Sequence, residues 1–270
     1  MQHIPIMKKY ILFSFIIIAF HISVAQSQSA FQDGEWFKFR VSYSGWLKAG
    51  EATLDLKEKT FQGKKVYHVV GKGWTSGAIK WFFKLKDRYE SFIDVKTGLP
   101  YKFIRDINED GHTKDIEIAF NHATKKAEVN DKKHKIVKII DIETNVQDMV
   151  SAFYYLRNNY DTDKIQPGDI VNLNMFFDEE NYLFRLKYLG RETIRTNING
   201  SSIEVETLKF RPYVMSGRVF KEEESLTVWI SADKNKIPLK IQADLAVGSL
   251  RADLEYYKGL KHSFEVKIKD

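Results

Sequence analysis

Apolar and polar residues alternate one by one along most of this chain. Leu54 and Leu56 alternate with Asp55 and Lys57, and Ile116, Ile118 and Phe120 with Asp115, Glu117 and Ala119. The same beat runs through Ile203 to Glu206, Ile237 to Leu245 and Leu250 to Tyr256. Successive side chains of a strand point to opposite faces, so each segment has one apolar and one solvated face. Antiparallel sheets produce this pattern; parallel strands covered on both faces do not. Turn residues punctuate the segments: Gly45, Gly63, Thr97-Gly98, Asn130-Asp131, Asn199-Gly200 and Asp233 to Asn235. Asn199-Gly200 is the strongest hairpin signal, because both central residues of a type I′ turn need positive φ.

Two segments break the alternation. Thr144 or Asn145 can cap a helix running to about Asn158, with Val146, Met149, Val150, Phe153 and Leu156 spaced by three or four on its apolar face. Ser76 to Lys86 begins with small residues and carries Ile79, Trp81, Phe82, Phe83 and Leu85, which reads as a short helix after the strand Lys65 to Gly71. One stretch also echoes another. Phe92-Ile93 through Leu99-Pro100 to Phe103 resembles Trp229-Ile230 through Ile237-Pro238 to Ile241. Two related meanders explain the echo, as does independent use of one turn chemistry.

The expected fold is mainly β: a curved antiparallel sheet or open β-barrel of roughly ten or more strands. One amphipathic helix and a short helical plug pack on it. Residues 26–270 form a single β-rich domain; the alternative is two β subdomains, 26–160 and 169–270, with Asp161 to Gly168 as the polar connection.

The first residues set the compartment. Lys8 and Lys9 precede an apolar run from Tyr10 to Val24, and Ser23-Val24-Ala25 offers small residues for cleavage after Ala25. That is the layout of a signal peptide spanning residues 1–25. The run is short for a membrane span, which needs about 20 apolar residues. The expected protein is therefore exported, periplasmic or outer-envelope, and not integral to a membrane once cleaved. There is no Cys, which rules out disulfides and a lipid-bearing cysteine and leaves stability to a buried core. The formal charge of +6 falls to +4 without Lys8 and Lys9. The densest basic stretch, Lys125 to Lys138, reads as the solvated face of a hairpin. Export argues against nucleic acid as a partner. A transmembrane barrel is disfavoured by Lys and Glu throughout the strands and by the non-aromatic last residue, Asp270.

Motifs for chemistry are weak. His68, His112, His122, His134 and His262 lack metal-ligand spacing, so neither a metal nor another cofactor is expected; only His112 and His122 have a chance to meet across a hairpin. Gly73-Trp74-Thr75-Ser76-Gly77 has the outline of a nucleophile elbow but holds Thr at its centre. Gly71-Lys72-Gly73 fits neither phosphate-loop frame. Acid clusters at Asp178-Glu179-Glu180, Glu222-Glu223-Glu224 and Asp106 to Asp110 fall in turns and strand ends. No catalytic residue is assigned.

Several segments together resemble the bacterial family called "domain of unknown function 3108". They are Gly50-Glu51-Ala52-Thr53-Leu54, the Trp74 to Leu85 insertion, Asp87-Arg88-Tyr89-Glu90, Thr97-Gly98-Leu99-Pro100, the helix around Asp148 to Leu156, Trp229 to Pro238, and Ala246 to Leu254. The resemblance covers nearly all of the chain after residue 25 and brings no catalytic residues. The Leu99-Pro100 hairpin also looks like those of outer-membrane lipoprotein carriers, which implies a curved sheet around a helical plug.

The aromatic insertion supplies the candidate ligand site. Trp74, Ile79, Trp81, Phe82 and Phe83 are read either as core or as a lid over an apolar groove, with Trp36, Phe39, Trp46 and Phe92 as opposing walls. Three functions stay open. The first is an envelope protein binding a hydrophobic small molecule, lipid or lipoprotein. The second is a non-catalytic assembly factor acting through its surface, and the third a hydrolase of cell-wall polymers. The oligomeric state is not fixed by the sequence.

Overall fold

The computed structural model describes residues 29–214 and 226–266. The expected leader 1–25 and the acidic triplet Glu222-Glu223-Glu224 lie outside them. A first meander holds β1 (Trp36–Tyr43), β2 (Leu47–Phe61), β3 (Lys64–Thr75), β4 (Leu85–Asp94), β5 (Pro100–Glu109), β6 (His112–Asn121), β7 (Lys126–Asp131) and β8 (Ile136–Asp141). Then come α1 (Ser151–Asn159) and a second meander of β9 (Ile170–Phe177), β10 (Glu180–Ile198), β11 (Ser201–Val214), β12 (Leu226–Ser231), β13 (Pro238–Asp244) and β14 (Ser249–Lys258). Within each meander every strand pairs antiparallel with the next, and β1 pairs with β14. The result is one fourteen-stranded sheet with free edges at β8 and β9. The strands of both meanders belong to this one sheet.

Alternation translates directly into this sheet. In β1, Phe37 and Phe39 are buried while Trp36, Lys38 and Arg40 look outward. The inner face carries clusters around Phe37, Leu239 and Leu254, around Phe103, Ile118 and Phe176, and around Leu56, Val69 and Tyr154. Bulges bend the strands, since an extra residue on one side increases local twist. Register shifts fall at Lys38/Phe39, Val41/Ser42 and Tyr188/Gly190.

The two echoed hairpins share one device. Register shifts at Phe92/Ile93 and at Trp229/Ile230, and in each hairpin the isoleucine then faces the proline, Pro100 or Pro238. An aspartate closes each turn: Asp94 Oδ1 accepts the N–H of Lys96 and Thr97, and Asp233 Oδ1 that of Asn235 and Lys236.

The sheet edges approach one another without closing. Gln147 forms an isolated parallel bridge with Met175, the backbone of 147 bonding to Asn174 and Phe176. The β9–β10 tip folds over the first meander, where Asp178 pairs with Arg105 and Lys114, and Glu179 with Lys138. These contacts shield two edges that would otherwise template further pairing.

The helix begins later than its apolar spacing predicts. Residues 144–150 are not helical, because Val146 is buried in the Phe103–Phe176 cluster from extended and turn backbone. The residue before the helix is Val150, and Asp148 rather than Thr144 or Asn145 braces the turn that leads in. Its Oδ1 accepts the N–H of Val150 at 2.8 Å and of Ser151 at 2.7 Å, and Ser151 Oγ accepts the Asp148 N–H at 2.9 Å. The reciprocal pair has the bonding pattern of a capping box. Ser91 Oγ on β4 bonds Asp148 Oδ2 at 2.6 Å, tying the helix start to the sheet.

Burial pushes the Asp148 carboxyl up to about 6, against the pull of those hydrogen bonds. The native state then holds a proton that the unfolded chain has released between about pH 4 and 6. Stability from this group is therefore full below pH 4 and falls as pH rises through 6. Asp148→Asn mimics the protonated form. It should gain on the wild type by up to about 3 kcal/mol between pH 4 and 7, the shift taken at 1.36 kcal/mol per unit. Denaturant midpoints at the two pH values read this out; parallel wild-type and variant profiles would refute it.

Candidate functional site

The two ends of the barrel differ in chemistry. At one end the helix meets the β12–β13 turn and the lead-in to β1. Arg157 is buried there, and its Nη1 and Nη2 grip the Glu35 carboxylate at 2.6 and 2.7 Å. Its Nε and Nη2 also donate to the Asn235 carbonyl at 3.0 and 2.8 Å, and Nη2 to that of Ala30 at 3.3 Å. Phe31, Phe37, Phe153 and Tyr154 surround the guanidinium with their rings. Asn235 continues the network to the carbonyls of His262 and Ser263. Beside this knot lies an open cleft of about 380 Å³, lined by Asn158 to Asp163, Asp233, Lys234, Lys236 and His262.

The polar groups of that cleft serve the fold. Lys236 Nζ donates to the Tyr160 carbonyl at 2.6 Å, and burial lowers its pKa. Asp233 is taken up by Ser231, Asn235 and the turn backbone. A second concavity, beneath the β9–β10 tip, has a free volume of about 10 Å³, no more than one water needs. Neither is an apolar chamber.

A histidine–carboxylate pair sits on the outer face of β3 and β4. His68 Nε2 lies 2.6 Å from Glu90 Oε2, and Arg88 Nε donates to Glu90 Oε1 at 2.7 Å. The imidazole stacks on Phe92, which also meets Phe61. Burial lowers the His68 pKa despite Glu90. Burial pushes Glu90 up, but Arg88 and His68 outweigh it and the net shift is downward. This is packing on a convex face. His112 and His122 do not meet: they flank opposite ends of β6, and His122 Nε2 bonds the Pro100 carbonyl at 2.8 Å. Among the described residues no three potential metal ligands gather.

The residues expected to line a groove divide between the core, the outer strand faces and one rim. Phe39 lies in the inner core, whereas Trp36 faces outward beneath Lys258. Phe92 and Trp74 fall on outer strand faces, Trp74 sharing that of His68 by the two-residue period. The short helix exists as a 3-10 turn over Gly77–Trp81, but it does not place its rings inside. Trp81 is 88% and Phe82 83% exposed, with Phe83 and Trp46 also exposed. The interior is already occupied by α1, whose Tyr154 is fully buried.

These exposed rings share the other end of the barrel. The β1–β2, β3–β4 and β13–β14 connections are neighbours there, because the sheet runs β4-β3-β2-β1-β14-β13. Ser76 N–H bonds the Ala49 carbonyl at 3.0 Å, beside Trp46. Ser44 N–H bonds the Ser249 carbonyl at 2.7 Å, and Tyr43 Oη donates to the Val247 carbonyl at 2.9 Å. The rim therefore presents Trp46, Trp81, Phe82 and Phe83 together with exposed Leu245 and Val247. Two glycines make this packing possible. At Gly248, with φ +74°, a Cβ would come within 2.5 Å of Ser44 Oγ. At Gly50 it would come within 2.4 Å of the Trp74 carbonyl oxygen.

The sequence profile of a protein family of unknown function, DUF3108, matches residues 38–255. The chain belongs to the DUF3108 family. Gly50 and Gly248 lie in segments that carry the DUF3108 resemblance, so two family marks coincide with rim contacts. No curated protein matches the chain. Among solved structures it is similar to a β-barrel-like protein of another family of unknown function, DUF1849, from Brucella abortus. The TM-score is 0.53 at 8% identity, over 86% of this chain and 100% of that one. This likeness supports the barrel-like fold and nothing about activity. The chain is more weakly similar to a Bacteroides fragilis protein, named as exported with a YmcC-like fold (TM-score 0.34, 10% identity, 84% and 97% covered). A Parabacteroides distasonis protein described as a lipoprotein gives 0.33 at 10% identity, with 85% and 98% covered.

Removing one member of a buried ion pair strands the other charge in a site without water, at a cost of about 3–5 kcal/mol. Arg157→Met should destabilise the protein by that amount in urea unfolding. Arg157→Met combined with Glu35→Leu should cost less than Arg157→Met alone. If the double variant costs the sum of the two singles, the pair does not act as a unit.

Proposed function

We propose that this DUF3108 protein is an exported envelope factor that acts by binding, and that its working surface is the aromatic rim, which takes a hydrophobic or lipid-like partner. One observation carries this reading. The β3–β4 connection is held by its own hydrogen bonds, from Phe82 and Phe83 N–H to the Ile79 carbonyl and from Leu85 N–H to Thr75 Oγ1, yet it keeps Trp81 and Phe82 in water. Apolar surface gathered at one end of a folded protein is the usual mark of an interaction site.

The leader-like residues 1–25 support export. No helix among the described residues is long and apolar enough to cross a membrane, which says nothing about strands. The hydrolase reading has less support. The buried carboxylates among the described residues, Glu35, Asp87, Glu90, Asp148 and Asp233, are each engaged by a structural partner. A ligand carried inside the barrel has less support than one met at the rim, because α1 and the β9–β10 tip fill the inner face.

The test uses protein made with its own leader and recovered by osmotic shock. The expected mature N-terminus is Gln26, read by terminal sequencing. Wild type should stay with the envelope pellet. Trp81→Ala/Phe82→Ala should move to the soluble fraction, with stability changed by less than about 0.5 kcal/mol, as for surface sites. Equal partition of wild type and variant would remove the rim from the function.

A further inference from the structure

We infer that the aromatic rim docks on the surface of an anionic phospholipid bilayer. In this arrangement Trp46, Trp81 and Phe82 enter the headgroup–acyl boundary while Lys80, Lys84 and Lys86 face lipid phosphates. The inference rests on the rim being the working surface and names what covers it.

Three observations select a bilayer over other partners. The first is charge. From Ser76 to Lys86 the chain holds three lysines and no carboxylate. Among the described residues none of these lysines forms an ion pair, whereas Lys38, Lys102, Lys114 and Lys132 do. The nearest acids are Asp87, buried and bonded to the Asn108 N–H, and Glu109 and Asp110 on the adjoining β5–β6 connection, where the Asp110 N–H bonds the Lys84 carbonyl. Unpaired cations beside protruding rings are complementary to an anionic surface.

The second is composition. Protein interfaces are depleted in lysine, whereas Trp, Phe and Lys together are the combination found where a protein meets the lipid–water boundary. The third is shape. The rings protrude from two adjacent turns and Leu245 and Val247 from a third, and Val247 on the β13–β14 turn is as prominent as Trp46 on the β1–β2 turn, at 77% and 73% exposure. A convex set of tips suits a deformable boundary better than a preformed pocket or helix groove.

The experiment is flotation of the exported protein, as recovered from cells, with vesicles of phosphatidylcholine alone or mixed with phosphatidylglycerol. Wild type should float with the mixed vesicles and far less with the neutral ones, and added salt should release it. Lys80→Gln/Lys84→Gln/Lys86→Gln should lose roughly fivefold in affinity per lysine. Trp81→Ala/Phe82→Ala should lose at least about tenfold. Ile139→Ser, an exposed site on β8, should bind like wild type. Circular dichroism confirms that each variant is folded.

Wild type that ignores both vesicles, or binding that the rim variants leave intact, overturns the bilayer. If vesicles are ignored while the Trp81/Phe82 variant still leaves the envelope pellet, the rim works on a protein and only the bilayer falls. Self-association abolished by the same variant, without vesicle binding, assigns the rim to a second copy. If neither vesicle binding nor envelope retention depends on the rim, this inference and the proposed function fail together.

Discussion

Arg157 and Glu35, a cation and an anion removed from water together, fix the arrangement of everything around them. Burying either charge alone costs several kcal/mol, so the pair persists only if geometry and hydrogen bonding are complete. They are complete here: both carboxylate oxygens are gripped, and two carbonyls take the remaining guanidinium donors. Those partners come from the lead-in to β1, the helix and the β12–β13 turn. The sheet must curl far enough to bring these three to one point, and α1 must lie inside the curl. The C-terminal segment is drawn in by the same knot, through Asn235 and the carbonyls of residues 262 and 263.

Curling creates an edge problem, and the chain solves it with itself. The sheet stops short of closure at β8 and β9, where two rows of backbone groups lie free to pair. The segment after β8 bonds to β9 through Gln147, and the β9–β10 tip is clamped to the first meander by Asp178 and Glu179. The clamp seats Phe176 in the core beside Phe103 and Phe120, so edge protection and core filling are one event. This is the physical reason that the inner face offers little space to a ligand.

The barrel is polar and knotted at one end and apolar and unpartnered at the other. The helix, the segments 29–35 and 259–266 and the ion pair crowd the first end, where the 380 Å³ cleft lies beside them. The second is built from short turns whose close approach needs Gly50 and Gly248, and it projects rings that the core has no room to take. The buried ion pair belongs to the knotted end, and the exposed rings to the turns at the other.

The sequence by itself determined the antiparallel sheet, the hairpins and the paired devices at Pro100 and Pro238. Strand alternation and turn φ are local properties, and Asn199 and Gly200 do adopt the positive φ their side chains favour. It also marked the helix, but not its start, because Val146 keeps helical spacing while being buried from non-helical backbone. The aromatic run could not be placed, since Trp-Phe-Phe has no alternation to separate inside from outside. Only the tertiary structure decided that α1 fills the barrel and the rings face water. Nor does any local signal join Arg157 to Glu35: they lie 122 residues apart, and a charged pair separated by that distance meets only once the sheet has curled around the helix.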